Sequence, residues 1–385
     1  EMAHFDADME ALNMRPASVE PWATLSIEPM LDLIQRLSDA GHTYTVDGTT
    51  FFDVSTDDDF GSLSGYDEDT MLSLAAERGG HPDDPRHRNP LDFVLWQPSA
   101  NDEPAWNSPF GPGRPGWHIE CSAMSSKYLG QPFDIHGGGA DLIFPHHENE
   151  IAQSEGAKSC ALARYWLHNG MVTVEQEKMS KSLGNFLTIG EALAKVSTPE
   201  VLRQVLLSSH YRMALDFSTQ KMEEAEKGLV RIYETLARAD EAIGDSSIVD
   251  GPDDSALVGR FREAMDDDCN TPRALGVIFE GVREMNRELD AGEIQTAAIL
   301  RYGIATIGNV IGLLEESPAQ FLDNQRRSGL VEAGLTSDAI EGLIAERVTA
   351  RKDKNFKRAD EIRDQLADQG ILLKDSPAGT TWAVK

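Results

Sequence analysis

Apolar residues fall into two rhythms along the chain. From Pro29 to Gly41, Met30, Leu31, Ile34 and Leu37 recur at helical spacing. Thr43–Val46 and Thr49–Val54 flank Asp47-Gly48, which predicts a hairpin. A short helix is expected around Met71–Arg78 and a strand in LDFVLWQ; a Pro/Gly/Asn-rich stretch ending in FGPGRPG reads as loop. Residues 116–185 carry short strands punctuated by glycines, with helices directly after them, the texture of an α/β nucleotide-binding architecture. From Thr198 onward long helices dominate. Leu229, Ile232, Leu236 and Ile243 mark one; Ala256, Val258, Phe261 and Met265 another. Thr271-Pro272 reads as an N-cap followed by N1, and residues 297–314 add a further helix, so a helical bundle is expected. The last segment, 336–385, reads as helix, basic loop, helix and hairpin.

Length and composition narrow the class. A chain of 385 residues exceeds one core, which stops growing near ~250–300 residues. No apolar run approaches the ~20 residues that span a bilayer, so no membrane partner is expected. Three scattered cysteines exclude a disulfide scaffold, and the first residues have neither the basic start nor the apolar core of a signal peptide; the cytoplasm is the expected compartment. The balance of 35 basic against 65 acidic residues, a net charge of −30, argues against broad non-specific nucleic-acid binding while allowing a local basic patch.

Four strings carry chemistry. In Pro145-His146-His147-Glu148-Asn149-Glu150 the proline favours a helix start, which puts His146 and Glu150 four apart on one face. An imidazole and a carboxylate there suit zinc, and a capped helix with a polar face is the plain alternative. The HExxH protease pattern is absent, because Ile151 stands where the second histidine would fall. Cys121, in GWHIEC just before an expected helix, is a third possible ligand or a buried structural thiol. Cys160 and Cys269 have no ligand-type neighbours. His136-Gly137-Gly138-Gly139-Ala140-Asp141 follows the strand FDI, where glycines would let backbone approach a nucleotide, or simply make a tight turn. Lys178-Met179-Ser180-Lys181-Ser182 sets two lysines three apart on a loop of small residues, fit to surround a triphosphate.

With these strings in place the chain resembles the bacterial cysteinyl-tRNA synthetases, which are class I aminoacyl-tRNA synthetases. GRPGWHIECSAM, DIHGGGADLIFPHHENEIAQ, EKMSKSLGNF and DSPAGTTW all match, and the likeness runs from the opening helix to Trp382. It implies the second half of a Rossmann-like α/β catalytic core, then a helical bundle, then a small mixed α/β C-terminal domain. The corresponding segments are 1–28 (end of the first catalytic half), 29–111 (connective insertion), 112–170 (second catalytic half with zinc ligands), 171–222 (KMSKS loop and stem contact), 223–325 (tRNA-binding bundle) and 336–385 (anticodon binding).

The resemblance further implies a ligase that activates L-cysteine with ATP and Mg2+ and transfers the cysteinyl group to tRNA(Cys), as a monomer with one zinc per chain. Cys121, His146 and Glu150 correspond to three of four zinc ligands; Trp117, His118 and Asp141 to the cysteine and adenylate pocket. Lys178 and Lys181 correspond to the catalytic lysines. Lys181, Ser180, Ser182 and Gly137 to Gly139 correspond to ATP contacts. Arg351, Lys352, Lys354, Lys357, Arg358 and Trp382 are the expected tRNA contacts, since a basic cluster with aromatics suits an unstacked anticodon loop. The family's fourth zinc ligand and its HIGH signature find no counterpart here. With the start at Glu1 in mid-helix, this gives the expectation of a chain lacking its N-terminal part and inactive alone. A mycothiol-type cysteine ligase and a non-catalytic tRNA- or zinc-binding paralogue are the competing readings; the basic C-terminal unit weighs against the first.

Overall fold

The computed structural model describes residues 2–174, 177–179, 187–244, 255–332, 336–376 and 379–384. They divide into two compact units, one formed by residues 17–171 with 212–214, the other by residues 2–16, 172–211 and 215–384.

The unit of residues 17–171 begins with the amphipathic helix Ile27–Asp39, which buries Met30, Leu31, Leu33, Ile34 and Leu37. The hairpin Thr43–Val46/Thr49–Phe52 turns on Asp47 and Gly48, whose φ of 51° and 77° supply the two positive values of a primed turn. Phe93–Gln97 extends the sheet antiparallel, and Phe52 stacks on Phe93 at 5.0 Å. Arg114–Pro115 forms a fourth, edge strand, where sequence reading expects only loop. An edge tolerates the proline, and its neighbours must be glycines: a Cβ at Gly116 would lie 2.0 Å from the Val94 carbonyl oxygen.

Two further corrections concern the site. Cys121 does not precede its helix but lies within it: Gly116 caps a helix running Trp117–Leu129. The strand Phe133–Gly139 does not stop before the glycine triplet but runs through it, pairing parallel to Ala163–Asn169 with Gly137, Gly138 and Gly139 opposite Leu167, His168 and Asn169. Between these strands the helix Glu148–Lys158 makes the crossover, entered through a wider turn at Ile143–His147 that is interrupted by extended Phe144. This strand–helix–strand unit brings strand ends and a helix start together, the usual place for an α/β site.

In the other unit, Val172–Val174 pairs antiparallel with Glu177–Lys178 and parallel with Leu215–Phe217. The helices Pro199–Leu207, Thr219–Ile243, Ala256–Asp266, Thr271–Ala291, Ile294–Ile311 and Pro318–Glu332 form the expected bundle around Leu229, Ile232, Tyr233, Ile278 and Phe321. The cap of Thr271–Ala291 is one residue earlier than expected. Asn270 accepts the Arg273 N–H at 3.1 Å, which its amide oxygen reaches better than a threonine already inside the first turn. The C-terminal helices Ser337–Lys352 and Phe356–Asp368 and the hairpin Ile371–Ser376/Gly379–Val384 close a small core of Ile340, Ile344, Ile362, Leu366 and Ile371. Arg347 clamps the hairpin through two 2.8 Å hydrogen bonds to Asp375. Among the described residues no helix is long and apolar enough to cross a membrane.

Candidate metal and substrate site

Helix geometry alone puts His146 and Glu150 on one face; the fold adds Cys121 from the facing helix. The two helices are tied by a buried hydrogen bond, 2.6 Å, from Ser122 Oγ to Gln153 Oε1. Cys121 Sγ, a His146 ring nitrogen and a Glu150 oxygen lie within 4.8 Å of one another. Glu150 is fully buried, yet neither carboxylate oxygen has a partner of hydrogen-bond geometry among the described residues. His136 Nε2 stands 3.1 Å from Oε2; His146 Nε2 and His147 Nε2 are each 3.8 Å from a carboxylate oxygen, too far for a bond.

His136 and His147 form a second possible ligand set with the same Glu150. These residues were missed by motif reading. A usable signal was available, because five of the ten histidines (118, 136, 146, 147, 168) fall in one stretch of the chain. The rings hold one another. His118 Nδ1 lies 2.8 Å from His146 Nδ1, and His147 Nδ1 lies 2.8 Å from His168 Nε2. Burial, helped by neighbouring imidazoles, pushes His118 and His147 down to about 3 and lowers His168; burial also lowers His146 against the pull of Glu150. These four rings are therefore neutral near pH 7, the form that ligates metal. Burial, with Glu150 and Glu120, pushes the Cys121 thiol up to about 12.

The other expected residues divide. Trp117, half exposed, stacks on His146 at 4.4 Å, and His118 lies 5.1 Å from His146 and 5.3 Å from Trp117, so both stand at the ligand set. Asp141 sits on the exposed turn after the strand, its Oδ1 folded against Gly139, where a Cβ would come within 2.2 Å. A Cβ at Gly138 would lie 2.8 Å from the His147 ring, so this glycine makes room for the histidine. Lys178 belongs to the strand Glu177–Lys178 of the other unit; Ser180, Lys181 and Ser182 lie outside the described residues. In the C-terminal module Arg351 pairs with Asp375 at 2.9 Å and Arg358 with Glu346 at 2.8 Å, while Lys352, Lys354 and Lys357 are exposed. Trp382 packs on the module's core and donates to Glu341 at 2.8 Å.

One shell residue had no sequence signal. Glu148, 1% exposed, accepts the backbone N–H groups of Gly61, Leu63 and Ser64 at 2.9, 3.2 and 2.9 Å. It fastens the polar connective loop to the first turn of the helix that carries Glu150.

Three family models match the chain. Residues 1–227 match the family of tRNA synthetases class I (C) catalytic domains, residues 260–315 the DALR domain, and residues 334–382 the cysteinyl-tRNA ligase anticodon binding domain. The cysteine–tRNA ligase of Trichlorobacter lovleyi is 49% identical over 400 residues, covering 100% of this chain and 81% of that protein. That of Geobacter metallireducens is 50% identical over 397 residues, with the same coverage. A methionyl-tRNA synthetase of Mycobacterium tuberculosis, solved with methionyl-adenylate, shares the fold: TM-score 0.54 and 16% identity, over 87% of this chain and 80% of that one. The chain belongs to the cysteine–tRNA ligase family of class I aminoacyl-tRNA synthetases.

Proposed function

We propose that the protein activates L-cysteine with ATP and magnesium, joins the cysteinyl group to tRNA(Cys), and reads the substrate thiol at a zinc held by Cys121, His146 and Glu150. The observation that carries this reading is Glu150, a fully buried carboxylate whose two oxygens lack hydrogen-bond donors, facing a sulfur and a neutral imidazole. Zinc there supplies a soft centre that a thiolate satisfies and a serine hydroxyl does not.

The chain's own residues do the remaining work. Trp117 and His118 wall the ligand set and exclude water from the amino-acid side, while His118 orients His146 through the paired Nδ1 atoms. Gly137 to Gly139 present backbone without side chains at a strand end, where adenylate fits, and Asp141 beyond them suits the substrate's ammonium group. Lys178 and Lys181, with Ser180 and Ser182, surround the triphosphate and stabilise the charge that develops on the leaving pyrophosphate. No general base is required, since carboxylate attack on phosphorus depends on positioning and charge stabilisation. Lys352, Lys354 and Lys357, with Arg351, Arg358 and Trp382, serve the anticodon end.

Metal analysis and cobalt substitution test the site directly. One zinc per chain is expected, and the cobalt form should show a sulfur-to-metal charge-transfer band that Cys121→Ser removes. A cobalt protein without that band, or a band that survives Cys121→Ser, would refute the assignment. In a protein that also carries the HIGH signature, Lys181→Ala should slow cysteine-dependent ATP–pyrophosphate exchange with zinc content unchanged.

A further inference from the structure

The turn between the glycine-rich strand and the ligand helix carries Asp141 near its start and His146 near its end, and its backbone is irregular. Ala140–Leu142 makes one tight turn, and Phe144 beyond it is extended, with φ −134° and ψ 134°. Carbonyl groups in such a stretch fall outside a regular helical ladder and need other donors. One guanidinium supplies them: Arg78 Nη1 donates to the carbonyl oxygens of both Asp141 and Phe144. The arginine is itself held in place. Its helix, Glu68–Glu77, is capped by Asp67, which accepts the Thr70 N–H at 2.9 Å, and the helix stops at Arg78. Gly79, with φ 87°, then turns the chain so that the Gly80 N–H returns to the Ala75 carbonyl at 2.8 Å. A Cβ at Gly80 would lie 2.9 Å from that carbonyl oxygen, so this stop needs its second glycine. Glu148, just past the turn, takes the N–H groups of Gly61, Leu63 and Ser64 from the start of the same connective segment. The turn is thus held at both ends by residues 61–78.

We propose that Arg78 is a positioning residue for the substrate: by fixing the Asp141 and Phe144 carbonyls it sets the Asp141 carboxylate where the ammonium group of cysteine is received. This rests on the role given to Asp141 in the proposed function. Arg78 holds Asp141 by its main chain and not by its carboxylate, which leaves that charge for an ammonium group. The same Nη1 holds Phe144, at the entry to the ligand helix, so the ammonium site and the thiol site keep a constant separation. Cysteine has a single methylene between its Cα and its sulfur. Two recognition points so close together tolerate little error in their spacing.

The experiment measures dissociation constants of L-cysteine and of 3-mercaptopropionate, the same thiol acid without the ammonium group. Both are read from the sulfur-to-metal charge-transfer absorbance of the cobalt protein. The proteins are the natural one, Arg78→Met, Arg78→Lys, Asp141→Asn and the double variant of Arg78→Met with Asp141→Asn. The natural protein should prefer cysteine by at least about tenfold, the lower end of what one charged hydrogen bond contributes. Arg78→Met should lose most of that preference through cysteine alone, with the affinity for 3-mercaptopropionate and the cobalt content unchanged. Arg78→Lys, which keeps a donor, should recover part of it. In the double variant Arg78→Met should add nothing to Asp141→Asn. An unchanged preference in Arg78→Met, or equal weakening of both thiols, overturns the proposal. If the natural protein shows no preference, or Asp141→Asn leaves it intact, the role of Asp141 falls and the proposal with it. That outcome is distinct from one in which Asp141→Asn removes the preference and Arg78→Met does not. Hydrogen exchange of the metal-free proteins gives a second readout: the amides of Leu142, Ile143 and Phe144 should exchange faster in Arg78→Met. Protection equal to that of the natural protein overturns the proposal even where the variant does not load cobalt.

Discussion

Replacing Glu148 by alanine isolates the joint between the connective loop and the ligand helix. The carboxylate accepts three backbone N–H groups, from Gly61, Leu63 and Ser64, and is 1% exposed. Hydrogen bonds to a charged acceptor contribute about 1.5–3 kcal/mol each, an upper sum near 4.5–9 kcal/mol. The loop amides are only partly buried and regain water once released, which lowers the net loss to about 3–5 kcal/mol. Glu148→Gln keeps one oxygen. It can retain the Gly61 and Leu63 bonds but turns an amide N–H toward Ser64 N, so its loss should be about 1–2 kcal/mol. Urea titration gives the totals, and amide hydrogen exchange shows where they act. The three loop amides should exchange faster in Glu148→Ala while those of the distant helix Ser337–Lys352 should not, until global unfolding dominates. An alanine variant within about 1 kcal/mol of the natural protein, its three loop amides still protected, would refute the latch.

Other substitutions probe independent contacts. Gly138→Ala pushes a Cβ to 2.8 Å from the His147 ring, which is 1% exposed and held by His168; a loss of about 1–3 kcal/mol is expected by urea titration, together with weaker zinc retention against a chelator. Asp375 is held well below the usual carboxylate range by its hydrogen bonds to Arg347 and Thr380. Its stabilisation of the C-terminal module is therefore fully present above the unfolded value near ~3.9 and is lost as pH falls through the lower folded value; acid titration of Trp382 fluorescence should show this, and Asp375→Asn should flatten it. Replacing Lys352, Lys354 and Lys357 together by alanine should reduce the slope of log affinity for tRNA against log salt by about 2, taking ~0.7 per contact. Arg351→Ala and Arg358→Ala, already paired with carboxylates, should each change that slope less.

The helices were legible because burial on one side imposes a period that Met30, Ile34 and Leu37, or Leu229, Ile232 and Leu236, display directly. The hairpin was legible because Asp47-Gly48 meets a demand for positive φ at both turn positions. The edge strand Arg114–Pro115 was not, since two residues pairing through the backbone leave no pattern in the side chains. Cys121, His146 and Glu150 could be found as residue types, and their convergence requires the packing of two helices that no local signal encodes. His136 and His168 reach the cluster from neighbouring parallel strands, and Glu148 reaches back 84 to 87 residues. Such contacts exist only after the chain has folded.

The histidine pairs decide what can occupy the centre of the cluster. With both Nδ1 atoms in the His118–His146 contact, a single proton serves the two rings. If His118 supplied it, His146 Nε2 would carry the remaining hydrogen and aim it at Glu150 Oε1 over 3.8 Å, a distance at which no hydrogen bond forms. If His146 supplies it, His146 Nε2 is a lone pair turned toward Glu150, and two acceptors meet beside the protonated Cys121 thiol. The protonated thiol has one proton to share with Glu150 and His146, and the neutral His118, His146 and His147 rings add no positive charge. The zinc proposed above would satisfy sulfur, imidazole and carboxylate together, and its field would lower the thiol that burial has raised. The proposed zinc would account for the unpartnered oxygens of Glu150, and it would make His118, the ring that fixes the tautomer, a positioning residue rather than a ligand.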